Sequence, residues 1–352
     1  MRLERDDMQR DLTRAMRATL DEVAGPGERL DPVEVHACLV ELGVFALELP
    51  DADGGLAFGM DCAVVVCEEL GRWAAPDSYR AGALLTDLVR SAEEAGTGFR
   101  SRASAASPAL IGAGKVTASL AIGSGVAATP ACDGRRLSGD CVLPDVPPQA
   151  AFHVVPARYG DGTVLAAMAV DAPGLTVDGP RADGVWRLSL EDVAPDALSP
   201  PLHHDGIPSP LLARARIRQA AYLLGLASGA HRLAVGRAAS RRQFGRGIGE
   251  NQAVAFPLAE QYAHLEAVRL LVHEAGWDAD GGRSAAVRAT QSLAYAAELA
   301  LQVTAHAVHV HGAAGITTDS PVQRHYRAAR IEATRWGAPV SLWREAGALR
   351  LR

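Results

Sequence analysis

The stretch from Arg241 to Gln252, RRQFGRGIGENQ, gathers the groups in this sequence best suited to holding an anion. The arginine pair Arg241 and Arg242 offers guanidinium groups suited to a cofactor contact. The glycines beside them leave room for a ligand to approach. The same residues also suit a plain helix-to-helix turn. In that reading Gly245, Gly247 and Gly249 supply positive backbone angles and Asn251 caps the next helix. Spacing alone favours the turn. A second cluster, His306, His309 and His311, lies in HAVHVHGAAG. The first two share a helix face and the third is turned about 140° from the first, so a core or ligand-facing role is expected over a common metal. The run Gly312 to Gly315, followed by TTDSP, reads as a helix stop, a loop and a restart at Pro321, or as a close approach of backbone to a ligand. Glu68 and Glu69 sit near a helix C-terminus, where the helix dipole disfavours acids; solvent exposure or pairing with Arg72 is expected.

Three kinds of element must position these groups. Up to about residue 115 apolar residues recur at helical spacing, as in Val33, Val35, Leu39 and Val40, with Gly25, Pro32 and Pro50 marking turns. From 116 to 200 that period vanishes. Strands are expected at Val116 to Ala121, Phe152 to Ala157, Thr163 to Val170 and Val185 to Leu190, forming a small antiparallel barrel or sandwich. Pro144, Pro147 and Pro148 place a loop or edge in its middle. From 201 to 352, after Pro200, Pro201, Pro208 and Pro210, four helical patterns follow: Leu211 to Ser240, Asn251 to Trp277, Ser284 to His309 and Pro321 to about Arg335. In the second, Val254, Leu258, Tyr262, Leu265 and Val272 make one core-facing stripe. The fold class is thus α+β: an N-terminal α-helical domain (1–115), a middle β domain (116–200) and a C-terminal four-helix bundle (201–352).

Composition narrows the function. With 352 residues and charged residues at 22%, the chain is an ordinary multidomain globular protein. Its net charge of -6, with arginines scattered among acids and Lys115 the sole lysine, argues against nucleic-acid binding. The start is too charged for a signal peptide and no apolar run is long enough to cross a bilayer, so a cytoplasmic enzyme is expected. Cys38, Cys62, Cys67, Cys132 and Cys141 are odd in number and include no Cys-x-x-Cys pair, which fits small buried residues in a reducing compartment.

Taken together, ELGVFALELPDADGGL with VCEELGR, RRQFGRGIGENQ, HVHGAAGITTDSPVQRHYRAAR and the α, β, α-bundle order resemble the acyl-CoA dehydrogenase family across nearly the whole chain. The resemblance implies FAD, held between subunits of an oligomer, and α,β-desaturation of an acyl thioester. There a carboxylate takes the α-proton, a hydride leaves the β-carbon for the flavin, and an electron-transfer acceptor reoxidises it. By motif position Arg241 matches the arginine on the FAD pyrophosphate. Gln243, Phe244 and Gln252 belong to the same motif. The later Gln-x-x-Gly-Gly-x-Gly stands here as His309 through Gly312 to Gly315, with His309 for the glutamine and Ala313 for a glycine. The catalytic glutamate position holds Trp336, followed by Gly337 and by Ala338 where threonine is usual. The alternative base position falls on Ala215, beside Arg216, which matches the arginine usual there. Leu143, Pro144 and Asp145 replace the tryptophan and hydroxyl residue against the flavin ring, and the loop before them is reduced to Ala121 to Gly125. The half of a flavin pocket this chain makes for itself is degraded, and the half it lends a neighbour is kept. The expectation is therefore the base-lacking subunit of a heteromeric enzyme, at least a dimer and by family a tetramer, acting on an acyl-CoA or acyl-carrier-protein thioester. Paired subunits of this kind serve bulky sterol-derived or polyketide-like groups. The alternatives are a homo-oligomer with Asp145 as an unusual base, a redox-neutral tailoring enzyme, and a non-catalytic helical module.

Overall fold

The computed structural model describes residues 6–24, 30–95, 107–122, 126–131, 134–144, 146–147, 150–180, 185–243 and 245–351. Ten α-helices occur among them: α1 (Asp7–Val23), α2 (Pro32–Glu41), α3 (Gly59–Arg72), α4 (Tyr79–Glu94), α5 (Pro108–Gly112), α6 (Pro210–Ser240), α7 (Gln252–Asp280), α8 (Ala286–His311), α9 (Pro321–Glu332) and α10 (Pro339–Arg350). The strands are β1 (Thr117–Leu120), β2 (Val126–Ala131), β3 (Gly134–Leu143), β4 (Ala150–Tyr159), β5 (Gly162–Ala169), β6 (Leu175–Asp178), β7 (Trp186–Val193) and β8 (Ala197–Leu198), then four two-residue strands, β9 (His203–His204), β10 (Ile207–Pro208), β11 (Arg242–Gln243) and β12 (Arg246–Gly247). The chain forms two compact units, one of residues 1–31, 60–75 and 216–352, the other of 32–59 and 76–215.

The second unit carries the sheet, in the order β6-β7-β3-β2-β4-β5-β8 with β1 also on β4. It is open rather than a closed barrel, so the sandwich half of the expectation holds. It is also not wholly antiparallel, because β1 and β2 both run parallel to β4. Pro156 lies inside β4, where a ladder donor is normally needed. Its missing N–H falls where β4 changes partner, since β1 is paired as far as Val154 and β2 begins at Ala157. One sheet face is lined by Leu137, Val155, Ala157, Val164, Ala166, Met168, Leu188 and Leu190. On β7 these inward residues alternate with Arg187 and Ser189, which bond Asp140, the period of two that a half-solvated strand requires. On β5, by contrast, Leu165 and Ala167 on the opposite face are also buried, and periodicity alone cannot distinguish such a run from a buried helix.

In the first unit the closest packing is between α3 and α6. A Cβ on Gly71 would lie 2.0 Å from the Tyr222 carbonyl oxygen, and one on Gly225 would lie 2.0 Å from that of Glu68. Only glycine lets the two backbones approach this far. Glu68 and Glu69 are buried, not exposed; Glu68 pairs with Arg269 at 2.9 Å and Glu69 with Arg17 at 2.8 Å, while Arg72 acts on both as a nearby charge. Arginines distant in sequence supply the counter-charge. On α7 the buried stripe is Leu258, Gln261, Leu265, Val268, Val272 and Ala275. Tyr262, expected in it, is 58% exposed; the three-four alternation runs through Gln261, one residue earlier. The four expected helical segments are present, and α10 follows them. No helix of the described residues is long and apolar enough to cross a membrane.

Candidate functional site

The motif from Arg241 to Gln252 begins where α6 ends. Its backbone turns through a two-strand hairpin, with Arg242 opposite Gly247 and Gln243 opposite Arg246. Gly245 takes φ +83° at the tip. Gly247 and Gly249 do not share that conformation, contrary to expectation. Gly247 is extended at φ -64°, and a Cβ on Gly249 would lie 3.0 Å from the Ala238 carbonyl oxygen, so its need is for space. Asn251 occupies the N-cap position of α7, but its side chain makes no cap bond. It instead donates to the Ile248 carbonyl at 3.1 Å and accepts from Arg246. Glu250 accepts from the Gly247 N–H at 2.9 Å. The loop is thus fastened by its own side chains while Arg241 is left outward. Arg241 is exposed, and its guanidinium has no hydrogen bond or ion pair among the described residues. Gln243 and Gln252 are exposed as well, Gln243 donating to the Arg242 carbonyl at 2.9 Å. Phe244 lies outside the described residues. An unpaired, exposed guanidinium on a fastened hairpin fits a diphosphate held at the surface of this unit.

The second expected element ends α8. Gly312 breaks the helix at φ +64°, and Gly312–Ile316 forms a single turn of 3-10 helix. Both glycines have local reasons. Gly312 needs the positive φ, and a Cβ on Gly315 would meet the Val308 carbonyl oxygen at 2.7 Å. His309 is exposed and its ring stacks on that of His306, centroids 6.4 Å apart. No group of histidines, cysteines or acids among the described residues could hold a metal ion.

Trp336, which the resemblance sets at the family's glutamate position, carries no carboxylate. Trp336 is buried, and Gly337, at φ +127°, keeps a backbone that side chains rarely adopt. Ala338 then stands at the N-cap of α10 without a cap bond. Arg216, 3% exposed, donates to the Trp336 carbonyl at 3.4 Å and to Thr290 at 2.8 Å, and forms a two-pronged pair with Glu345, Nη2 to Oε2 3.0 Å. Nearby, Glu332 is gripped by Arg335, Nε to Oε2 2.8 Å, and by Gln219 at 2.9 Å. Both carboxylates of this network are paired with guanidinium groups. Glu345, Glu332 and Gln219 were not legible from the motifs. The available signal was the arginine alternation in the apolar start of α6, ARARIRQ, since buried arginines demand acids. Ala215 is buried and carries no acid. In the second unit Leu143 is fully buried in the sheet core. Asp145 lies outside the described residues, as does 123–125. Ser119 and His153 make a buried 2.5 Å contact on β1 and β4. Burial pushes that imidazole down to about 4, and with both residues enclosed the pair is a satisfied core contact.

Comparison with known proteins matches this arrangement. The family described as "Acyl-CoA dehydrogenase, C-terminal domain" matches residues 207–338. The chain is 30% identical over 344 residues to a benzylmalonyl-CoA dehydrogenase of Aromatoleum aromaticum, covering 89% of this chain and 87% of that one. Among solved structures it is similar to a variant of the Tcur3481-Tcur3483 steroid ACAD, with TM-score 0.81, 26% identity and 98% of each chain covered. It is also similar in fold to the ChsE4-ChsE5 complex from Mycobacterium tuberculosis, with TM-score 0.80 and 23% identity over 99% of this chain and 98% of that one. Fold, segment order and relatives agree: the chain belongs to the acyl-CoA dehydrogenase family.

Proposed function

We propose that this chain is the subunit without the catalytic base in a heteromeric acyl-CoA dehydrogenase, in which a homologous partner supplies the glutamate and the ring-binding surface. The observation that carries the reading is at residue 336. The position matching the family glutamate holds a buried indole, and the arginine beneath it is already neutralised by Glu345. An indole cannot accept the α-proton, and neither Glu345 nor Glu332 is free to do so. FAD, the family's cofactor, supplies hydride acceptance when bound. On this chain Arg241 holds the diphosphate, Gln243 and Gln252 add neutral hydrogen-bonding groups around it, and Trp336 walls the position from water. The substrate is an acyl thioester on CoA or a carrier protein, and the electrons leave to an electron-transfer acceptor. The similarity to the Tcur3481-Tcur3483 steroid ACAD and the ChsE4-ChsE5 complex supports a paired subunit and a bulky acyl group.

The test is to purify the chain alone and together with a homologous acyl-CoA dehydrogenase subunit bearing the glutamate. Flavin per subunit and dye reduction with acyl-CoA are then measured. Activity is expected only in the pair, and Arg241→Gln in this chain lowers flavin retention by the pair. Full activity from this chain alone refutes the assignment.

A further inference from the structure

Three helices of the first unit meet at the end of α3, and the groups they bring there lack an anion. A Cβ on Gly229 of α6 would lie 2.1 Å from the Arg72 carbonyl oxygen and 2.5 Å from Nε2 of His325 on α9. His325, 3% exposed, reaches the Arg72 carbonyl through Nε2 at 3.0 Å and the Pro321 carbonyl through Nδ1 at 2.9 Å. Both partners are acceptors, so only an imidazolium can donate to the two at once. Burial first, and then the charges of Arg324 and Arg232, oppose that proton, and no carboxylate is among the groups acting on the ring.

On α6, three residues after Gly229, the guanidinium of Arg232 lies over the Trp73 ring, 5.5 Å from its centroid, where the negative face of an indole attracts a cation. The N–H edge of the same ring is unserved. The Trp73 Nε1 is buried and has no acceptor among the described residues, and a donor left in that state needs an explanation. Arg72, half-buried, is held below the usual arginine range by burial and then by Arg17 and Arg232, against the opposite pull of Glu69 and Glu68. Those two carboxylates are already held by Arg17 and Arg269. The guanidinium groups of Arg72 and Arg232 make no hydrogen bond or ion pair among the described residues. A water molecule at the indole would satisfy its N–H and leave all of this charge unanswered.

We propose that Arg72, Trp73 and Arg232 form a binding site for a phosphate group, the indole N–H and the two guanidinium forks donating to its oxygens. A phosphate presents acceptors to three donors at once and brings up to two negative charges, where a carboxylate brings one. Arg232 is exposed, and its long stem lets the guanidinium leave the ring face for an anion at the N–H edge. The site is separate from the flavin contact assigned to Arg241. Nine residues divide the two arginines, which puts them half a turn out of phase and roughly 14 Å apart along the axis.

The experiment follows the indole N–H signals of the full chain in its complex with the homologous subunit, with 15N at the five tryptophans of this chain only. Inorganic phosphate is titrated at constant ionic strength against chloride. Coenzyme A and its form lacking the 3′-phosphate are titrated as separate arms. The signal missing in Trp73→Phe should move downfield with phosphate and saturate, and chloride should leave it in place. Arg72→Gln and Arg232→Gln should each weaken the Kd by about tenfold or more, and Arg241→Gln should leave it unchanged. A response to coenzyme A that is lost without its 3′-phosphate supports the site and names a nucleotide phosphate as the ligand; a response to inorganic phosphate alone supports it and names the free ion. A Trp73 signal that stays in place in every arm, that moves equally with chloride, or that keeps its Kd in both arginine variants overturns the site.

Discussion

Because Glu345 supplies the counter-charge of Arg216, a carboxylate introduced at 336 should compete with Glu345 when that residue is present and replace it when it is gone. The guanidinium is 3% exposed and its Nη2 lies 3.0 Å from Glu345 Oε2. With charge spread over both groups the effective separation is about 4 Å, worth about 4 kcal/mol at an effective dielectric constant near 20. That agrees with the roughly 3–5 kcal/mol typically lost when one member of a buried pair is removed. Glu345→Gln should therefore cost about 3–5 kcal/mol. To cancel the loss of the indole, Trp336→Gln serves as the reference for Trp336→Glu, each made with and without Glu345→Gln. Arg216 touches the carbonyl of residue 336 itself, so an acid there is within a side chain's length of the guanidinium. The change from glutamine to glutamate at 336 should destabilise when Glu345 is intact and stabilise when it is replaced, a coupling of about 0.5–3 kcal/mol read from urea unfolding. Effects at 336 and 345 that add within about 0.5 kcal/mol would show that the two positions do not share Arg216, and the account of this site would fail.

Other expectations follow from single contacts. Gly225→Ala drives a Cβ against α3 backbone atoms and should cost about 1–3 kcal/mol or more. Gly236→Ala, on the same helix with nothing within 4 Å of its Cβ, should gain about 0.5–1 kcal/mol; equal shifts in unfolding midpoint would contradict the packing described. Ala338→Thr supplies the missing cap of α10 and should stabilise by about 1 kcal/mol in denaturant titrations, whereas no gain would mean the N-cap geometry is not as drawn. Asp61 is raised to about 6 by burial, then by Asp280 and Asp6. A carboxyl whose folded pKa lies above its unfolded value of 3.8 opposes folding above about pH 6, and the penalty fades as pH falls toward 4. Asp61→Asn should therefore be the more stable protein at pH 7–8, with the difference shrinking between pH 6 and 4. A gap independent of pH would rule out titration as its cause.

Local pattern determined a good deal about this chain. Apolar recurrence places the long helices of the C-terminal half, the loss of that recurrence marks the sheet region, and RRQFGRGIGENQ announces a turn. These depend on residues a few positions apart, which helix and strand geometry bring together whatever the rest of the chain does. That positions 336 and 215 carry an indole and a methyl group rather than an acid also needed no coordinates. Tertiary structure decided what depends on distant partners. It buried Glu68 and Glu69 against Arg269 and Arg17, left β4 to change partners at Pro156, and joined Arg216 to Glu345 across 129 positions. No periodicity encodes such meetings, because ion pairing and sheet order are chosen by the free energy of the whole packed chain. An arginine in an apolar helix shows that an acid must be found, and only the fold shows which one.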